Sequence, residues 1–135
     1  MKQRGKYVID SFSIISYCEG IKNSVKVSDI FKSALNNEIE IYTSVITYGD
    51  ILSLIHKHAD SVKVALFIKT FEQLPIKVIN ITKEQVEEAA KLKAENKLGF
   101  AESYTAALAI SENACLITGE KLLGSLKNKI DILFI

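Results

Sequence analysis

The sequence predicts an α/β fold, a three-layer α/β/α domain built on a mostly parallel five-stranded sheet. Three observations carry that expectation. Short β-branched runs recur five times, segments with helical apolar spacing lie between them, and no linker, repeat or low-complexity tract interrupts the series. Strands that alternate with helices join by right-handed crossovers, which lay the strands parallel and cover both faces of the sheet.

The first strand is expected at residues 7–9 (YVI), where the apolar run stops at Asp10. Ile14, Ile15 and Cys18 mark a first helix, and Val27, Ile30, Phe31, Ala34 and Leu35 a second that ends at the turn-prone pair Asn36 and Asn37. A second strand follows at 39–42 (IEIY). Ile46, Ile51, Leu54 and Ile55 predict a third helix; Val62, Ala65, Leu66, Ile68 and Phe71 predict a fourth, stopped before Pro75. The third strand is expected at 76–79 (IKVI). Residues 83–96 give the clearest helix, with Thr82 as N-cap, Gln85 as its capping-box partner and Gly99 beyond the far end. Residues 102–112 make a small-residue helix suited to close packing, before strands at 114–117 (ACLI) and 130–135 (IDILFI).

A single domain over residues 1–135 suits this length, and 48% hydrophobic residues supply a sizeable core. Seventeen basic and 16 acidic side chains leave a net charge of +1, so bulk charge selects neither a nucleic acid nor a membrane as partner. Arg4 is the only arginine, which favours point-charge lysine contacts to phosphate over bidentate forks. With no secretory signal pattern and no run as long as a membrane span, a cytoplasmic protein is expected. Cys18 and Cys115 lack metal-site spacing and are expected as small buried hydrophobes.

Asp10 poses the functional question, because an unpaired buried carboxylate is costly and must either cap the next helix or serve chemistry. Three more acids occupy comparable places. Asp50 lies early in the third helix, Glu102 opens the small-residue helix and Glu120 follows the fourth strand. In a doubly wound sheet these ends meet where strand order reverses. Four carboxylates on one cleft repel one another unless a cation sits among them, and a hard divalent ion held by oxygens is the natural one. Ser11 and Thr118 are candidate donors orienting the carboxylates, and Lys22, Lys121 and Lys127 are candidate contacts to a phosphate backbone.

The order and spacing of YVIDSFSIISY, TSVITYGDILSL, LGFAESYTAALAISENACLITGEKL and IDILFI resemble the PIN domain, and in particular the VapC-type toxins of toxin–antitoxin pairs, from Tyr7 to Ile135. Members carry an Asp followed by Ser or Thr after the first strand, a Glu on the helix after the second, an Asp in a D-A-x-x-A-A-L-A-like helix and an Asp in a T-x-D turn. Those slots hold Asp10 with Ser11, Asp50, Glu102 and Glu120. The resemblance implies an endoribonuclease that uses Mg²⁺ or Mn²⁺ to cut single-stranded RNA, leaving 5′-phosphate and 3′-hydroxyl ends. It also implies a homodimer, and a VapB-like antitoxin whose C-terminal segment fills the active-site groove. All four acids form the implied catalytic set. Asp10 and Glu102 would hold the ion most directly, with Glu120 as a further ligand and Asp50 in direct or water-mediated contact.

Three of the four acids are exchanged for the other carboxylate, Asp50 being one methylene short of the family pattern and Glu102 and Glu120 one long. Each exchange moves an oxygen by about 1.5 Å, a large step beside the octahedral geometry that Mg²⁺ demands. The alternative function is therefore a catalytically impaired PIN-like module that binds RNA or protein. A receiver-like signalling domain fares worse, since its acidic pair is absent. His56 and His58, two apart on a helix, face different ways, and GEKLLGSL lacks the lysine of a phosphate loop.

Overall fold

The computed structural model describes residues 5–20 and 24–135, so Arg4 and Lys22 lie outside the described residues. The elements run β1 (Lys6–Ile9), α1 (Ser11–Glu19), α2 (Ser24–Leu35), β2 (Glu40–Ser44), α3 (Val45–His58), α4 (Ser61–Glu72), β3 (Lys77–Ile79), α5 (Lys83–Glu95), α6 (Phe100–Glu112), β4 (Cys115–Thr118), a 3₁₀ helix (Lys121–Leu126) and β5 (Ile132–Phe134). The sheet order is β3-β2-β1-β4-β5, and every neighbouring pair is parallel. From β1 the chain builds outward through β2 to β3, then returns to place β4 on the other side of β1. The carboxyl ends of β1 and β4 thus flank the switch point, the place where such sheets open a crevice.

Alternation along the strands creates the three layers. Val8, Tyr42 and Leu116 pack on one face with Ala89 and Leu92 of α5 and Ala106, Leu108 and Ala109 of α6. Ile9, Ile41 and Ile117 pack on the other with Ile14, Val27, Phe31, Ile51 and Phe71 from α1 to α4. The small side chains of α6 bring it close to the sheet, and Ala106 to Ala109 are almost fully buried. Both edge strands, β3 and β5, have three residues, which leaves little unpaired backbone on either side.

Several boundaries differ from the sequence expectation for local reasons. The second strand continues two residues beyond Tyr42, because Thr43 donates its hydroxyl to Ile9 O at 2.9 Å and Ser44 becomes the N-cap of α3. Gly99 does not close α5, whose C-cap is Asn96; it is instead the N-cap of α6, which starts two residues earlier than expected. The last strand is shorter than 130–135, since Ile130 turns into the core under the 3₁₀ helix. Cys115 is buried and Cys18 half-buried, and neither forms a disulfide. No helix among the described residues is long and apolar enough to cross a membrane.

Candidate active site

Asp10 is the N-cap of α1: its Oδ1 accepts from Ser13 N at 2.9 Å, which satisfies one of the helix's orphan donors. Its other oxygen, Oδ2, accepts a short hydrogen bond from Thr118 Oγ1 at the end of β4. The residue is 3% exposed. Burial pushes its carboxyl above the ordinary value, further than the bonds from Thr118 and Ser13 pull it down, and the negative charge of Glu102 pushes the same way. Asp10 therefore caps a helix and also feels the charge of Glu102.

Thr118 works in two directions. While donating to Asp10 it accepts from Glu120 N at 2.8 Å, so one hydroxyl fixes both the buried acid and the turn after β4. Glu120 is half-buried and its Oε1 accepts from Leu122 N at 3.2 Å, capping the 3₁₀ helix.

On the other side of the crevice α3 and α6 are joined by a buried hydroxyl pair, Thr47 and Thr105, 3.0 Å apart. Asp50 stands three residues after Thr47 and Glu102 three residues before Thr105, so each acid shares a helix face with its threonine. Both acids line one cleft of about 360 Å³, together with Ser11 and Phe100. Glu102 accepts from Gly99 N at 2.6 Å, in the first turn of α6, where the helix dipole favours a negative charge. Asp50 is exposed on α3.

Of the four acids expected from sequence, then, Asp50 and Glu102 share the cleft; Asp10 lies buried next to Ser11 and within electrostatic reach of Glu102; and Glu120 is turned to the 3₁₀ helix. Lys121 and Lys127 are exposed, the latter over the Phe134 ring at 5.5 Å, and His56 and His58 are exposed in the last turn of α3.

A family model for the PIN domain matches residues 7–127. The chain belongs to the PIN domain family. Solved structures share its fold. A chain of VapBC2 from Rickettsia felis, bound to a DNA fragment from its promoter, is 16% identical with a TM-score of 0.75, over 96% of this chain and 98% of that one. VapBC-1 from nontypeable Haemophilus influenzae is 19% identical with a TM-score of 0.73, over 96% and 97%. VapC20 of Mycobacterium tuberculosis, described as a Sarcin-Ricin loop cleaving toxin, is 14% identical with a TM-score of 0.62, over 83% and 87%. A search of curated proteins returns no match.

In this PIN domain no three His, Cys, Asp or Glu side chains among the described residues group as a ready metal cage. The donor chemistry nevertheless fits a hard ion. The cleft offers two carboxylates and a hydroxyl, and its lining has no histidine or cysteine. Mg²⁺ binds through one or two carboxylates while keeping several waters, and does not need an all-protein cage.

Sequence reasoning missed Ser13, whose backbone N donates to Asp10, and the Thr47–Thr105 pair, which ties α3 to α6. A polar residue three positions from an acid inside an apolar helix is the signal that would have found the two threonines.

Proposed function

We propose that this PIN domain chain is a divalent-metal-dependent endoribonuclease that hydrolyses single-stranded RNA, acting as the toxin of a VapBC-type pair in the cytoplasm. The observation that carries the reading is the placement of Asp50 and Glu102 on one cleft at the switch point, with Asp10 buried beside it. Likeness to VapBC complexes supports a VapB-like partner, and the exposed apolar residues of α3 and α4, Leu54, Val62 and Leu66, support a homodimer.

Asp50 and Glu102 would hold Mg²⁺ or Mn²⁺, with Asp10 and Glu120 contributing directly or through water. When bound, the ion supplies a lowered pKa for water and neutralises charge growing on the phosphate. The chain's own part is orientation. Thr118 fixes the Asp10 carboxylate, and Gly99 N fixes Glu102. The Thr47–Thr105 pair ties together the two helices that carry the cleft acids, and the negative charge of those acids raises the local concentration of the cation that a phosphate requires.

A second reading, a PIN scaffold kept for binding RNA or protein, is favoured by one observation. Asp10, Glu102 and Glu120 all accept backbone N–H groups as caps, which is a sufficient structural reason for an acid at each position. Cleavage of labelled single-stranded RNA with Mg²⁺, Mn²⁺ or EDTA, run beside Asp10→Asn, separates the two. Metal-dependent cutting that vanishes in the variant is expected; folded, partner-free protein that cuts with neither ion would leave the binding scaffold.

A further inference from the structure

A cleft lined by two carboxylates repels the phosphates of a nucleic acid, and one divalent ion held by both would only cancel their charge, so affinity has to come largely from other contacts. One exposed aromatic ring lines the cleft, and a second belongs to the residue after lining Ser11 and packs on the turn after β4. Phe100 opens α6, is 61% exposed and lines the cleft with Asp50 and Glu102. Its ring leans on Tyr104, with centroids 5.1 Å apart and planes tilted by 60°. Phe12, 47% exposed, follows Ser11, a residue of the same cleft lining.

The Phe12 ring lies directly on the backbone of Gly119, between Thr118 and Glu120. A Cβ at that position would stand 2.4 Å from Phe12 Cδ1 and Cε1. The turn after β4 thus leaves room for this ring and for no side chain of its own. Each ring is supported by protein on one side and open to solvent on the other, a costly arrangement for an apolar group with nothing to stack on it.

We infer that Phe12 and Phe100 are base-stacking platforms, one on α1 and one on α6, that seat unpaired nucleobases beside the acidic cleft. The inference rests on the nuclease reading and narrows its substrate to strands whose bases are free to leave the helical stack. Stacking on a phenyl face accepts any base, and it needs no cation in a cleft whose lining has none. Arginine, the other planar side chain used for stacking, is almost missing from the sequence, which leaves the aromatic rings to do it. Lys97 and Lys121, exposed just before α6 and just after Glu120, remain for contacts to phosphates.

The test is binding of a single-stranded oligoribonucleotide carrying 2-aminopurine, with Ca²⁺ present and the probe's integrity checked by gel. Wild type is compared with Phe12→Leu, Phe100→Leu and the tyrosine variant at each position. Leucine keeps apolar bulk without a ring, and tyrosine restores the ring. Wild type is expected to quench the 2-aminopurine, each leucine variant to bind about five- to a hundredfold more weakly, and each tyrosine variant to recover. An abasic probe should bind wild type as weakly as the leucine variants bind the intact one. Unchanged affinity and quenching in both leucine variants, with wild-type melting and cutting, overturn the platforms and leave the nuclease reading standing. Leucine variants that keep RNA but lose a protein partner overturn them as well, in favour of a protein-docking role. Wild type that neither binds nor cuts RNA overturns both.

Discussion

Thr118 Oγ1 donates to Asp10 Oδ2 across the β1–β4 seam, joining residues 108 positions apart at the point where the sheet reverses its strand order. The same hydroxyl accepts from Glu120 N, so the turn and the buried acid share one anchor.

Replacing Thr118 with Val keeps the shape and removes that anchor. The buried carboxylate then loses a donor and Glu120 N an acceptor, for an expected loss of about 1–3 kcal/mol in urea unfolding. Thr118→Ser, which keeps the hydroxyl, should lose less.

The pH dependence of stability should carry the mark of Asp10. Its folded carboxyl titrates above its unfolded value, so the folded state retains a proton that the unfolded chain has already released. Its contribution is therefore most favourable below about pH 4, the unfolded value, and falls as pH rises through the folded value. Asp10→Asn lacks this step. Measured in EDTA, it should melt at or above wild type at pH 7, and the advantage should shrink on acidification. Its RNA cleavage should fall at least about a hundredfold.

Glu102 separates structure from chemistry. Glu102→Gln keeps an oxygen for Gly99 N and should melt near wild type, whereas Glu102→Ala should lose about 1 kcal/mol with the cap. Calorimetry with Mn²⁺ should show one site weakened in both variants and in Asp50→Asn; equal affinity in all of them would remove the cleft as the ion's place.

Gly119→Ala must displace the Phe12 ring. Its backbone has no positive φ, so the cost is steric alone, about 1–3 kcal/mol of overpacking, read as a lower melting temperature. Combining it with Phe12→Ala should recover much of that loss.

Sedimentation at tens of micromolar should find a dimer. Leu66→Lys, at a side chain 62% exposed beside the apolar groove between α1, α3 and α4, should give a monomer with unchanged melting of the protomer.

Most of the architecture was legible because it depends on local patterns. The β-branched runs located every strand, Thr82 and Gln85 announced the start of α5, and Pro75 lay just past the end of α4. What escaped was polar detail. Thr43 and Ser44 look like a strand ending, yet one is paired inside the sheet and the other caps a helix. Gly99 fits either the end of one helix or the start of the next, and only the reach of Glu102 back to its N–H decides. The 3₁₀ helix escaped because KLLGSL has neither period over enough residues. The four acids were legible as acids near strand ends and helix starts. Their hydrogen bonds were not, since Thr118 meets Asp10 only through the sheet pairing.

Because β1 is the central strand and its later neighbour is β4, a ribosome releases this protein in an order that delays its centre. The α1 cap can form as soon as the first turn emerges, but one side of β1 stays unpaired until Thr118 has been made and has left the exit tunnel. At about 5–20 residues per second that interval lasts on the order of 5–20 s. Any shorter nascent chain exposes an open parallel edge and an unanchored Asp10, so the crevice can close only after β4 has emerged.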